Sequence, residues 1–438
     1  MNTGRTGFFA GNSALLPVPA TPVCHFLPNQ VPKCGKMKMI AETLIGGVFV
    51  ENFQISAPAD RDAFYQLYLY AFNKQDSVQR HEFFDARFNH ATDYGIHAGG
   101  QLVSALYSLP FTVNFAGQEF KMRGIGVVCS APEFSGRGGA GTLMTAALQD
   151  MYAEGTSLSY LAPFAFSYYR RFGYEQVFNQ IHYELNTSTL PRFKTAYTPA
   201  GKITRGRLQD NLDVAKAVYT ANQPTQGGLV RADWWWDYLV LKNDWDVGIY
   251  TAENGLATGY VIYERTASTL TIKEFIAPTQ AEYLALRQFI LKHGNSFARI
   301  VYEAPSTDYT GDLLPEPGIA TATVVPYMMA RIVNLQDVLN RLPLRLPETA
   351  ITIAIEDPLL TANQGTWSIS ASGPERIAAE PMPNADARMT IQTATKLIFG
   401  VQSTTNLLRT GELTATSAAV AVLNQLGTNI TPALVDYF

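Results

Sequence analysis

The sequence predicts an α/β (α+β) chain: two similar halves with mixed sheets, followed by a small α+β domain. Three observations carry that expectation. A strand, a glycine-rich turn, a helix and a second strand follow one another between Lys121 and Pro163, an order whose crossover sets the two strands parallel. The same order, without the glycine-rich turn, recurs between about Ala200 and Pro326. From Met328 the pattern alternates with period two in "ITIAIEDP" and "TWSISASG", as one amphipathic sheet would. At 438 residues, 47% of them hydrophobic, the chain has material for about three cores. The divisions read from it are a flexible leader over 1–45, a first domain over 46–190, a second over 191–327 and a third over 328–438.

Taken in order, "FQISAP" is a short strand, and "DRDAFYQLYLYAF" has apolar residues at helical spacing with Asp60 as N-cap. The run "HEFFDARF" reads as an amphipathic helix or as a wall of an acceptor site through Glu82 and Asp85. Three antiparallel strands are expected over Leu102–Leu109, Phe111–Phe115 and Lys121–Ser130, then a helix from about Gly141 to Ala153 and the strand "LSYLAP". In the second half, "LTIKEFIAP" stands where "MRGIGVVCSAP" stood, but the "TQAEYLALR" that follows has no glycine. The run "DWWWDY", Asp233 to Tyr238, reads as core or inter-domain packing rather than an aromatic cation box. "SAAVAVLNQLG" is a last helix before the tail that ends in "DYF".

Composition narrows the partners. A formal net charge of -4 without a Lys/Arg block argues against nucleic acid. No apolar run reaches the roughly 18 residues of a membrane span. The three cysteines, Cys24, Cys34 and Cys129, are too few for a disulfide framework, so a reducing cytoplasmic setting is expected. Cys24, His25 and Cys34 lack a fourth ligand at suitable spacing, and no metal is expected.

Two motifs point to chemistry. In "CSAPEFSGRGGAG", glycines 136, 138, 139 and 141 lie between a strand and a helix N-terminus, where free amides and the helix dipole favour an anion. The turn reads as a pyrophosphate cradle or as a plain chain reversal. It is not a Walker loop, because no Gly-Lys-Ser/Thr closes it. Some thirty residues on, "YYRRFGYE" reads as a core strand with a turn, or as a tyrosine held beside a bound ligand.

With these residues the chain resembles the GNAT acetyltransferases, whose Gln/Arg-x-x-Gly-x-Gly/Ala pattern is here Ser135-x-x-Gly138-x-Ala140. Ser135 departs from that pattern, and Arg137 offers charge within the loop. More specifically it resembles the Eis (enhanced intracellular survival) family of aminoglycoside and lysine N-acetyltransferases. The matching residues are Val128-Cys129-Ser130-Ala131-Pro132, Gly136-Arg137-Gly138 and Tyr169-Arg170-Arg171-Phe172-Gly173-Tyr174. That resemblance implies tandem GNAT domains, the second degenerate, and a C-terminal domain like sterol carrier protein.

It also implies acetyl-CoA as co-substrate, with backbone contacts from Val128, Cys129 and Ser130, a pyrophosphate held by Gly136, Arg137, Gly138, Gly139, Ala140 and Gly141, and further lining by Phe164 and Ala165. Tyr169 would be the general acid, and the α-carboxylate of Phe438, the last residue, the general base. A cationic small-molecule or lysine amine as acceptor and a homohexamer are implied as well. The rival readings are a tandem-GNAT acyltransferase for longer acyl-CoA, as in N-myristoyltransferases, and a non-catalytic CoA- or lipid-binding scaffold. Apart from any resemblance, a phenol of pKa about 10 can protonate a departing thiolate of pKa about 8.5.

Overall fold

The computed structural model describes residues 42–45, 48–51, 53–189, 200–306, 317–426 and 430–438. The leader expected over 1–45 lies outside these except for Glu42–Ile45, and Cys24, His25 and Cys34 lie outside them altogether.

A hairpin, β1 (Glu42–Ile45) and β2 (Val48–Glu51), precedes β3 (Gln54–Ile55), α1 (Pro58–Ala71), α2 (Val78–Phe88), β4 (Thr92–Ala98), β5 (Gln101–Phe115) and β6 (Gln118–Ser130). Next come α3 (Gly139–Ala153), β7 (Leu158–Leu161), α4 (Phe166–Arg170) and β8 (Glu175–Asn186). Two expectations need correction here. Ala57, not Asp60, caps α1, because Pro58 suits the first helical position; Asp60 lies in the first turn and meets His97 Nε2 at 2.8 Å. The two strands expected around Pro110 are one, since Pro110 falls where neighbours change: β4 pairs β5 as far as Ser108, and β10 pairs it from Thr112.

The second half contains β9 (Lys202–Arg207), α5 (Leu212–Ala221), β10 (Gln226–Val230), α6 (Asp233–Lys242), β11 (Asp246–Thr251), β12 (Ala257–Arg265), β13 (Thr269–Ile276), α7 (Gln280–Lys292), β14 (Arg299–Ala304) and β15 (Ala320–Ile332). One sheet of 13 strands unites the halves in the order β3-β4-β5-β6-β7-β15-β8-β14-β13-β12-β11-β9, with β10 against β5. β15 threads between β7 and β8, so it runs across the division at 327 read from the sequence. Local pattern marks a strand but not which neighbours it joins.

The last part holds α8 (Leu335–Arg341), β16 (Ile351–Glu356), β17 (Gly365–Ser370), β18 (Gly373–Ala378), β19 (Ala387–Thr390), α9 (Ile391–Ile398), α10 (Thr404–Thr410), β20 (Leu413–Ala415) and α11 (Ser417–Leu426). Its sheet has the order β18-β17-β16-β19-β20. The helices close one face over buried Trp367, leaving an apolar cavity of about 30 Å³ between Leu339, Trp367, Met389 and Leu423.

Candidate active site

The site begins as a gap between two parallel strands. β6 and β7 pair over only four residues, Met122–Ile125 with Leu158–Leu161, and β6 then runs on to Ser130 while the chain beyond β7 turns into α4. Among the described residues no strand pairs with that edge of β6 beyond Ile125, so its amides and carbonyls can meet an extended ligand. On the other edge the ladder skips between Ala105 and Tyr107, leaving Val127 and Val128 opposite a single residue as a bulge. Val127 has φ 48°, a conformation that costs a β-branched residue about 1–3 kcal/mol. Val128, Cys129 and Ser130 follow on the free edge. Cys129 is buried, which pushes its thiol up to about 12, so it stays protonated at neutral pH.

The glycine turn leads from this edge to α3. Gly136 and Gly138 have φ of 76° and 88°, which favours glycine, and a Cβ built on either meets nothing within 4 Å. Gly138 is the N-cap of α3 and supplies no side-chain cap, leaving the first amides of a 15-residue helix for a ligand. Gly139 has a different reason: a Cβ there would collide with Ser104 on β5. Arg137 stacks on Phe134, 4.9 Å from the ring centroid. The cradle therefore suits a pyrophosphate.

The stretch "YYRRFGYE" is neither strand nor plain turn through Tyr169. It holds the end of the short helix α4, capped by Ala165, followed by a turn into β8. Phe164 and Ala165 lie between β7 and α4 rather than on a strand, because β7 ends at Leu161; Phe164 is exposed and its ring centroid is 5.1 Å from that of Tyr169. Tyr169 itself is 2% exposed, and burial, then the phenols of Tyr168, Tyr174 and Tyr437, raise its pKa far above the ordinary 10. It is a phenol that holds its proton.

The turn after it is braced from elsewhere. Gly173 has φ 82°, and a Cβ there would strike the guanidinium of Arg331, which donates to the carbonyl of Phe172. Arg331 is held in turn by Asp357 through bonds of 2.8 and 2.7 Å, with both side chains wholly buried. Gln392 on α9 donates to the carbonyl of Arg170 at 2.9 Å. Burial pushes Glu175 up, but the Arg170 fork, the Gln176 amide and Lys396 outweigh it and leave the carboxyl below its usual range.

The chain's end returns to the same gap. Phe438 is 5% exposed; its ring centroid is 4.9 Å from that of Phe111 and 6.3 Å from that of Trp235. It lies flat against β6, where a Cβ on Gly124 would come within 2.6 Å of the ring. Gly126, two residues on, is covered by Tyr107 in the same way. Ile125 faces the opposite side, into the cluster that contains Tyr169. Tyr169 and Phe438 thus flank β6 from its two faces.

An aromatic row leads toward Phe438: His90 stacks on Trp234 at 4.4 Å, and Trp234 on Phe111 at 5.5 Å. Trp235 and Trp236 are buried, so the Asp233–Tyr238 run serves mainly as packing. Asp85 is already engaged by Arg61 and by His81 Nδ1 at 3.1 Å, while Glu82 is exposed on α2. Sequence reasoning missed Arg331, Asp357, Arg231 and Asp436, all buried charges with distant partners. A buried charge without local compensation is the signal they offered.

With this geometry in hand, comparison with known proteins is informative. Residues 54–177 match the acetyltransferase (GNAT) domain family, 227–332 match a second acetyltransferase (GNAT) domain family, and 335–435 match the sterol carrier protein domain. The crystal structure of Eis1 from Mycobacterium abscessus shares the fold at 18% identity, covering 88% of this chain and 99% of that one, with TM-score 0.71. A GCN5-related N-acetyltransferase from Anabaena variabilis does so at 23% identity, 87% and 98% coverage and TM-score 0.76. A conserved protein from Enterococcus faecalis, described as a probable N-acyltransferase, is 34% identical over 88% of this chain and 98% of its own, with TM-score 0.80. The chain is a tandem-GNAT acyltransferase with a C-terminal sterol carrier protein domain, and it shares its fold with Eis1. No curated protein matches it. In this acyltransferase, among the described residues, no group of His, Cys, Asp and Glu is arranged to hold a metal, and no helix is long and apolar enough to cross a membrane.

Proposed function

We propose that the enzyme transfers the acetyl group of acetyl-CoA to the amine of a cationic acceptor, aminoglycoside-like or lysine-type, by direct attack. The observation that carries this reading is the placement of Tyr169 and Phe438 on opposite faces of β6 beside the open edge. An amine arriving along the aromatic row meets the Phe438 side, and its ammonium proton passes to the α-carboxylate, directly or through water. The nitrogen bonds to the thioester carbon, the C–S bond breaks, the thiolate takes the proton of Tyr169 on the far side, and the second proton that the nitrogen sheds passes to solvent, from which Tyr169 is reprotonated. The protonated Cys129 thiol argues against an acyl-enzyme on that residue. Val128, Cys129 and Ser130 would hold the pantetheine arm, and Gly136 to Gly141 the pyrophosphate.

A homohexamer, which rests on the family resemblance, and a cytoplasmic setting, which rests on the cysteine usage, belong to the same proposal. Release of free thiol from acetyl-CoA, measured with a panel of aminoglycosides and lysine peptides, tests it. Turnover that needs the amine is expected. Turnover only with long-chain acyl-CoA, or none with any thioester, would overturn it.

A further inference from the structure

The second GNAT repeat carries the same splayed pair of strands as the first. β13 and β14 pair in parallel over four residues, Thr269–Ile272 with Arg299–Tyr302, and β13 continues to Ile276 paired only with β12 on its other edge. Its mouth faces the chain's own end. Leu434 donates its amide to the carbonyl of Pro305 just beyond β14 (3.3 Å), and Ala433 donates to Gln226 (3.0 Å). The Tyr327 hydroxyl donates to the carbonyls of Val435 and Asp436 at 3.1 and 3.2 Å. Ala433, Val435 and Asp436 line one side of a cleft of about 600 Å³ whose other side is Glu274 to Pro278.

Beneath that cleft is a buried charge network. Asp436, 3% exposed, accepts at one oxygen from Arg231 Nε (2.9 Å) and Trp235 Nε1 (2.7 Å). Arg231 reaches Glu274 with its other arm (2.9 Å), and Glu274 also accepts from the Tyr260 hydroxyl (2.7 Å). The rings of Tyr219 and Trp236 enclose the guanidinium at 4.4 and 4.5 Å. Burying two carboxylates on one cation gains little net stability, but it fixes a register that an apolar contact would leave free to slide. The register matters because Asp436 is two residues from Phe438, and the indole that binds Asp436 also packs on the Phe438 ring.

We propose that the second GNAT repeat is the dock for the chain's own C-terminus, its splayed mouth engaging residues 433–436 where the first repeat offers a cofactor slot. Asp436, through Arg231 and Trp235, is a positioning residue for the Phe438 carboxylate. This rests on the reading of that carboxylate as the base.

The test uses the full chain as Asp436→Asn, as Trp235→Phe, and with four residues appended after Phe438. Acetyl-CoA binding by calorimetry and kcat against pH with a primary alkylamine are measured for each. Asp436→Asn should bind acetyl-CoA as the parent does and lose about 10- to 100-fold in kcat at pH 7, the scale of a small misplacement. The loss should shrink as pH rises, because the amine then sheds its proton unaided. Trp235→Phe should show a smaller loss with the same pH shape, and it decides the matter if the Asn variant does not fold. Unchanged kcat, or a loss equal at every pH, overturns the positioning role. An extended chain with full activity overturns the base reading instead; an inactive extended chain beside a fully active Asp436→Asn overturns the dock alone.

Discussion

The two GNAT repeats share a four-residue parallel pairing but treat the next helix in opposite ways. In the first, α3 starts from left-handed Gly138 with no side-chain cap. In the second, α7 starts from Thr279, whose hydroxyl accepts from the Ala281 amide at 3.3 Å, and Glu282 follows in the first turn as a buried carboxylate. Thr279 and Glu282 have the spacing of a capping box, but only the Thr279 hydroxyl meets a helix amide, and Glu282 holds that hydroxyl and the one of Thr258. The capped N-terminus already has an acceptor. The uncapped one is left with amides to offer, so the proposed cofactor site would be kept by withholding a stabilising interaction.

The largest expected effect comes from giving the first repeat the second one's character. Gly138→Thr places a branched side chain at φ 88° in the open cradle and should abolish acetyl-CoA binding, whereas the parent should bind one equivalent per chain by calorimetry. Two equivalents in the parent would break the comparison.

Deleting Phe438 comes next. The new carboxylate on Tyr437 would stop about 3.5 Å short, so most acetyl transfer should be lost at saturating amine while acetyl-CoA still binds. Tyr169→Phe should slow turnover by about 10²-fold and leave binding intact; a variant as active as the parent would remove the tyrosine from the mechanism.

Two smaller effects separate stability from chemistry. Asp93 in the first repeat is buried with no ion pair among the described residues, and burial pushes its carboxyl up to about 8, whereas Glu274 in the second shares Arg231. In the folded chain Asp93 keeps its proton to about pH 8, but in the unfolded chain only to about pH 4. Its contribution is therefore full below pH 4 and is lost as pH rises toward 8. Asp93→Asn should raise Tm little at pH 4 and increasingly up to pH 8; a gain independent of pH would contradict the burial argument. Smallest of all, Thr279→Ala should cost about 1 kcal/mol in denaturant melts without changing turnover.

Much of this was legible in the residues. The left-handed glycines of the turn, the helix after it and the period-two sheet near the end are set by φ preference and side-chain periodicity within a few residues. The missing glycine after "LTIKEFIAP" marked the second repeat as different, because Ala277, Pro278 and Thr279 cannot form the same turn. The ends of strands were less legible: Pro110 looks like a breaker until it is known to fall where one edge of β5 changes neighbours while the other stays paired with β6.

What the sequence determined by itself was local, namely which segments turn, coil or extend, and that an uncapped helix start follows a strand. Which distant residues meet was decided only by the tertiary structure. Arg231 and Trp235 reach Asp436 across 205 and 201 residues, Arg331 supports the turn behind Tyr169 across 159, and β15 enters between β7 and β8. The physical reason is that a charge or a ring in the chain carries no mark of its partner. It becomes costly only once burial removes water, and by then the fold has chosen what lies beside it.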